Sequence, residues 1–121
     1  MPKVLIVDDE PGVSAAFSCF LAADGHTVRT AANADEALRL VKAEAPDIAL
    51  LDIRMPGTDG MMLLQEVRKI SPGTKVMMVS AYLNRAIRDR TARLGAPCVQ
   101  KPVNLFALRH SVNTLLASPT A

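Results

Sequence analysis

The chain has 121 residues, half of them apolar, which bounds it to one packed domain and excludes a disordered chain. No apolar run approaches the roughly 20 residues of a membrane span, and the short run Val4–Val7 leads straight into acids, unlike a secretory leader. The net charge of +2 hides an asymmetry: residues 1–60 carry ten acidic and five basic side chains, residues 61–121 two acidic and nine basic, so one part of the surface draws cations and another draws anions or acidic partners.

Taken in order, Lys3-Val-Leu-Ile-Val7 reads as a buried strand that stops at Asp8-Asp9-Glu10. Pro11 opens a helix whose core face is Val13, Phe17, Phe20 and Leu21. That helix has no charge from Val13 to Ala23, leaving Ala15, Ser18, Cys19 and Ala22 as a small, smooth outer face. Asp24-Gly25-His26 ends it, and Thr27–Ala31 is a short second strand. Asn33 caps a second helix carrying Ala34, Ala37, Leu38 and Val41, with Asp35 and Glu36 in its first turn and Pro46 as its stop.

The run Ile48, Ala49, Leu50, Leu51 is a third buried strand, and it delivers Asp52 into a turn built from Pro56, Gly57 and Gly60. A third helix uses Leu63, Leu64, Val67 and Ile70 and closes at Ser71-Pro72-Gly73. Lys75–Val79 is a fourth strand ending at Ser80. Leu83 to Leu94 reads as a weak helix, because only Leu83, Ile87 and Leu94 are strongly apolar among Arg85, Arg88, Arg90 and Arg93. Gly95 ends it, Pro97–Gln100 is a short fifth strand leading to Lys101-Pro102, and Asn104 caps a last helix lined by Leu105, Leu108, Val112, Leu115 and Leu116. The expected domain covers residues 1–117, with a tail at 118–121. His26 and His110 lack acidic or cysteine companions at ligand spacing and are expected at the surface.

Five β-α units imply right-handed crossovers and a doubly wound parallel sheet of order 2-1-3-4-5 with helices on both faces. That order sets the ends of the first and third strands side by side at the switch point, where open α/β folds place their ligands. The strand ends supply Asp8 and Asp9, then Asp52, then Ser80, then Lys101. Crowded carboxylates need a cation, and oxygen-only ligands with open positions suit Mg²⁺. A carboxylate beside that ion can act as a nucleophile towards phosphorus, and a hydroxyl and an ammonium can hold the remaining phosphoryl oxygens.

With Val-Asp8-Asp9-Glu, Leu-Asp52-Ile-Arg-Met-Pro-Gly-Thr-Asp-Gly60, Ser80-Ala and Lys101-Pro102 spread over essentially its whole length, the chain resembles the response-regulator receiver domain of two-component signalling, chemotaxis regulators included. The resemblance implies a flavodoxin-like (βα)5 fold and transfer of a phosphoryl group to Asp52 from a histidine kinase or phosphotransfer protein. It implies that Asp9, Asp52 and the backbone carbonyl of Arg54 ligate Mg²⁺ directly, with Asp8 acting through water. Ser80 and Lys101 would bind the phosphoryl oxygens, and the Lys101–Pro102 bond would be cis. Receivers couple phosphorylation to an aromatic three residues before the lysine, but here that position is Cys98, in a segment one residue shorter than the common pattern. Tyr82 is the candidate substitute. Arg54 and Tyr82 also occupy the positions that tune phosphate lifetime, and both are bulky.

The uncharged face of the first helix is the expected docking surface for the phosphodonor. The face of the fourth helix, fifth strand and fifth helix carries Arg85, Arg88, Arg90, Arg93, Lys101 and Arg109 against Asp89 alone. A two-fold contact must complement itself, so an ion-paired dimer through that face is disfavoured; a downstream protein or effector domain is expected on it, and the arginines fit either an acidic partner or a solvated face. The unphosphorylated chain is then a monomer or weak dimer. Three Phe, one Tyr and no Trp leave little to stack on bases, so no nucleic acid partner is expected. Cys19 and Cys98 fit neither a disulfide framework nor a metal spacing and agree with a reducing cytoplasm. Two other readings compete. A Mg²⁺-dependent phosphatase would want a second acid where Arg54 stands, and an unphosphorylated scaffold would not need the complete set of site residues.

Overall fold

The computed structural model describes residues 2–118 apart from Pro56 and the side chain of Thr58. The elements run β1 (Lys3–Val7), α1 (Pro11–Ala23), β2 (Thr27–Ala31), α2 (Ala34–Ala43), β3 (Ile48–Asp52), β4 (Arg54–Met55), β5 (Thr58–Asp59), α3 (Gly60–Ile70), β6 (Lys75–Ser80), α4 (Arg85–Arg93), β7 (Cys98–Gln100) and α5 (Leu105–Ala117). Five strands form one parallel sheet in the order β2-β1-β3-β6-β7, so β6 and β7 are the anticipated fourth and fifth strands. The extra pair is an antiparallel ribbon, β4 with β5, in the turn after Asp52. Two-residue strands carry no periodicity, which is why the turn reads as irregular. Pro56, expected in it, lies outside the described residues.

The continuous apolar strands are buried on both faces, as parallel strands require. Leu5, Val7, Ala49 and Leu51 face one core with Ala37 and Val41 of α2 and Leu63, Leu64 and Val67 of α3. Val4, Ile6, Ile48 and Leu50 face the other with Phe17 and Leu21 of α1 and Leu108 and Val112 of α5. Asn33 caps α2 by accepting from Glu36 N at 2.8 Å, Asn84 caps α4 by accepting from Ile87 N at 2.9 Å, and Asn104 caps α5 by accepting from Phe106 N at 2.9 Å.

Three residues depart from expectation. Phe20 is only half-buried and meets the ring of Phe106 edge-on at 5.4 Å, covering the seam between α1 and α5. Ile70 is exposed, and α3 buries Met61 instead. His26 is buried rather than at the surface. Gly25, with φ of 93°, ends α1 and turns the chain back, so that His26 Nε2 lies 3.2 Å from Asn113 Oδ1 on α5 and 3.6 Å from Asp24 Oδ2. His110 is exposed as expected.

Gly60 does more than complete a turn. A Cβ there would lie 2.3 Å from the carbonyl oxygen of Asp52 and 2.6 Å from Cα of Ile53. Its own N donates to the Ile53 carbonyl at 3.0 Å, so the start of α3 is pressed against the strand end that carries Asp52. At the other edge, α4 buries a single residue, Thr91.

Candidate functional site

Parallel pairing of β1 with β3 sets Val7 beside Leu51, which brings Asp8 and Asp52 together one residue further on. Both are buried. Lys101 arrives from the end of β7, where its backbone N donates to the Ser80 carbonyl at 2.9 Å. Its ammonium donates to Asp8 Oδ2 at 2.6 Å and to Asp52 Oδ2 at 3.2 Å, and reaches Glu10 Oε1 at 3.5 Å. Each buried acid also accepts from the backbone just after it: Asp8 Oδ1 from Glu10 N at 2.9 Å, and Asp52 Oδ1 from Arg54 N at 3.2 Å. Ser80 is 0 % exposed, and its Oγ accepts from Tyr82 N at 3.2 Å, which ties the hydroxyl to the loop entering α4.

The structure therefore gathers Asp8, Asp52 and Lys101, with Ser80 one residue beyond the β6 partner of Asp52. One acid is new to the group. Carboxylate oxygens of Asp8, Glu10 and Asp52 lie within 4.8 Å of one another, whereas Asp9 is half-exposed and outside that set, facing a groove with Pro11, Ser14 and Glu36. The signal for Glu10 was simply a third acid in the run 8–10. Which of them brings a carboxylate oxygen to Asp8 and Asp52 depends on how the loop leaves β1.

Burial raises the Asp52 carboxyl above its usual 3.8, and the neighbouring Asp8 charge adds to this, while Lys101 and the Arg54 N–H oppose them. Burial acts to lower Lys101, but its bonds to Asp8 and Asp52 override this and hold the ammonium above its usual 10.5. Three carboxylates facing one ammonium leave the pocket short of positive charge. An all-oxygen donor set of this kind fits a hard divalent ion such as Mg²⁺.

Around the pocket, the Arg54 guanidinium lies 4.9 Å from the centre of the Tyr82 ring, so the two bulky flanking residues stack on each other. Tyr82 is 63 % exposed. Cys98 Sγ lies 2.6 Å from Thr91 Oγ1, joining β7 to the one buried residue of α4. The Lys101–Pro102 bond is cis.

A doubly wound sheet whose carboxyl edge holds buried acids, a buried hydroxyl and a lysine is the frame of a phosphoacceptor signalling domain. The model of the response regulator receiver domain matches residues 4–113, and the chain belongs to that family. Sporulation initiation phosphotransferase F of Bacillus subtilis is 32% identical over 115 residues, covering 94% of this chain and 93% of that protein. The transcriptional regulatory protein GlrR of Escherichia coli is 37% identical over 116 residues, but the match covers only 26% of its length. A CheY-like receiver domain protein from Methanospirillum hungatei superposes with a TM-score of 0.91 at 32% identity, covering 96% of this chain and 94% of the other. A response regulator from Thermotoga maritima gives 0.90 at 28%, covering 98% and 99%. The function is thus phosphoacceptor signalling within two-component systems, whose response regulators act with histidine kinases and downstream effectors. The phosphatase and scaffold readings are not favoured. Among the described residues no helix is long and apolar enough to cross a membrane.

Proposed function

We propose that Asp52 is the phosphoacceptor, taking a phosphoryl group from a histidine kinase or phosphotransfer protein that docks on the uncharged face of α1. A carboxylate oxygen of Asp52 attacks phosphorus, the bond from phosphorus to the donor breaks, and the leaving imidazole keeps the electron pair. The observation that carries this reading is the Lys101 ammonium bridging the buried Asp8 and Asp52 at the carboxyl edge of the sheet. There it can follow charge that develops on the phosphoryl oxygens. Ser80 supplies a hydroxyl to one of those oxygens by releasing the N–H of Tyr82, which transmits the event to the start of α4.

Asp52, the Arg54 carbonyl and the acids at the end of β1 would hold Mg²⁺, which would supply charge neutralisation for the incoming phosphoryl group. Asp9 enters as a direct ligand by resemblance and Asp8 through water, whereas proximity favours Asp8 and Glu10. Asp9→Asn and Glu10→Gln, compared by Mg²⁺ titration of the unphosphorylated protein, distinguish the two sets. The chain catalyses only its own phosphorylation and dephosphorylation, works in the cytoplasm as one domain over residues 1–117, and is a monomer or weak dimer before phosphorylation. Intact-mass measurement after incubation with acetyl phosphate and Mg²⁺ tests the assignment. Wild type gains one phosphoryl group and Asp52→Asn gains none; equal labelling of the variant overturns it.

A further inference from the structure

We infer that the groove between the first turns of α1 and the chain leaving β7 holds the acyl chain of a small acyl phosphate that serves as phosphodonor. The groove has a volume of about 510 Å³, within the range of small-molecule sites. Its walls are Val13, Ala16 and Phe17 of α1, facing Pro102, Val103 and Leu105. Among the lining residues only Glu10 and Lys101 carry charge. Three segments that bear site residues run on into it: Glu10 follows the acids at the end of β1, Ala81 follows Ser80, and Pro102 follows Lys101.

Lys101 belongs to both places. Its ammonium lies 3.2 Å from Asp52 Oδ2, and its side chain forms part of the groove wall. A molecule with its phosphoryl group at Asp52 therefore meets an apolar trough one side chain away. Phe17 belongs to the core, and Val13, Val103 and Leu105 are half-buried against it, so the packed structure itself forms the trough. Glu10, exposed and 3.5 Å from the Lys101 ammonium, stands at the junction and repels a second anionic group. The chain that fits is uncharged.

The inference rests on the phosphoacceptor reading and deepens it by naming a donor class. The product on Asp52 is a mixed anhydride of a carboxylic and a phosphoric acid. A donor with the same kind of bond exchanges it at nearly balanced free energy, whereas a phosphate ester would have to release a strongly basic alkoxide. A carboxylate oxygen of Asp52 attacks phosphorus, the bond from phosphorus to the acyl oxygen breaks, and the leaving carboxylate keeps the electron pair. A chain held in the groove throughout that step adds uniform binding, which lowers the half-saturating concentration and leaves the saturated rate alone. Full burial of one methylene strengthens binding about fourfold, and an open groove that covers half of it about twofold.

The test compares acetyl, butyryl and hexanoyl phosphate, whose leaving groups are of nearly equal basicity, by following intact mass in the presence of Mg²⁺. Wild type should half-saturate at about tenfold lower hexanoyl than acetyl phosphate, with the same saturated rate. A Cβ at Gly12 meets nothing within 4 Å, so Gly12→Leu puts a side chain into the open groove without displacing backbone. That variant should bring the ratio to within about twofold of one, and its cooperative melting reports that it is folded. Val103→Thr, which makes one wall polar, should fall between the two. Independently of transfer, hexylphosphonate should shift the methyl resonances of Val13, Val103 and Leu105 in wild type, and methylphosphonate should not. A flat chain-length profile in wild type, or a preference that Gly12→Leu leaves intact, overturns the inference. Self-association of wild type that Gly12→Leu abolishes would give the groove to a second copy instead. Slower transfer from a phosphorylated phosphotransfer domain to Gly12→Leu, beside a flat acyl series, would give it to a donor protein. Should no acyl phosphate label wild type, the assignment of Asp52 falls, and absence of the hexylphosphonate shifts then overturns the groove separately.

Discussion

The two edges of the catalytic crevice are built to opposite standards. On the β3 side, every residue from Ile48 to Asp52 is buried, α3 buries five of its residues, and Gly60 lies so close to the Asp52 carbonyl that no side chain fits. On the β7 side, the strand has three residues, none fully buried, and α4 rests on the sheet through Thr91 with partly buried Leu83, Ile87 and Leu94 around it. The difference suits the proposed roles. A nucleophile must be held at fixed geometry by rigid elements. A switch needs an element whose arrangement changes for a small free energy, and such elements come from the weakly packed end of a fold. Asp52, the proposed phosphoacceptor, stands on the first kind, and α4 has the build of the second.

The largest expected effect breaks the rigid side. Leu51→Ala opens a cavity beneath Asp52 and should cost about 2–5 kcal/mol in chemical denaturation. Gly60→Ala forces the start of α3 away from β3 and should cost about 1–3 kcal/mol, with phosphorylation from acetyl phosphate slowed in what remains folded. A smaller effect follows from the raised pKa of Asp52. The folded state then holds this proton more tightly than the unfolded chain. Stability falls as pH rises from 3.8 through the folded pKa, and the full cost of the buried charge is present at neutral pH. Asp52→Asn should therefore melt at a higher temperature than wild type at pH 7 without Mg²⁺, with the gap closing below pH 3.8. Lys101 acts at the other end of the scale. Its raised pKa gives a contribution that is complete below pH 10.5 and lost as pH climbs through the folded value.

On the loosely held side, Thr91→Val removes one hydroxyl contact with Cys98 and should cost only about 1 kcal/mol globally, while hydrogen exchange in α4 quickens. The smallest effect leaves stability alone. Replacing Arg54 and Tyr82 together by alanine removes the stack over the site and should speed decay of the phosphorylated protein, which is expected to be comparatively slow; unchanged decay would show that the stack does not shield the site.

Much of this contrast is legible in the linear chain. The continuous apolar runs before Asp8, Asp52 and Ser80 declare buried parallel strands, and acids at two of their ends declare a cation site. The arginine-laden pattern of residues 85–93 likewise announces a helix with little to bury. What could not be read is what distant segments do to each other. Glu10 joins the acid group because the loop after β1 brings its exposed carboxylate within reach of Lys101, and half-buried Phe20 meets Phe106, on the last helix, edge-on. His26 is buried by α5, and Gly60 is recognisable as a turn residue long before its contact with Asp52 can be known. The bond between Thr91 and Cys98 follows the same rule. A cysteine in place of the usual aromatic signals that the common coupling is missing, but not what stands in its place.

Backbone hydrogen exchange, measured on the same protein with and without acetyl phosphate and Mg²⁺, tests the division of roles most directly. The account predicts that residues 85–93 exchange far faster than residues 48–52 before modification, and that phosphorylation shifts exchange in α4 and β7 while β3 stays as it was. Equal protection of the two edges, or a phosphorylation response confined to β3 and α3, would contradict it.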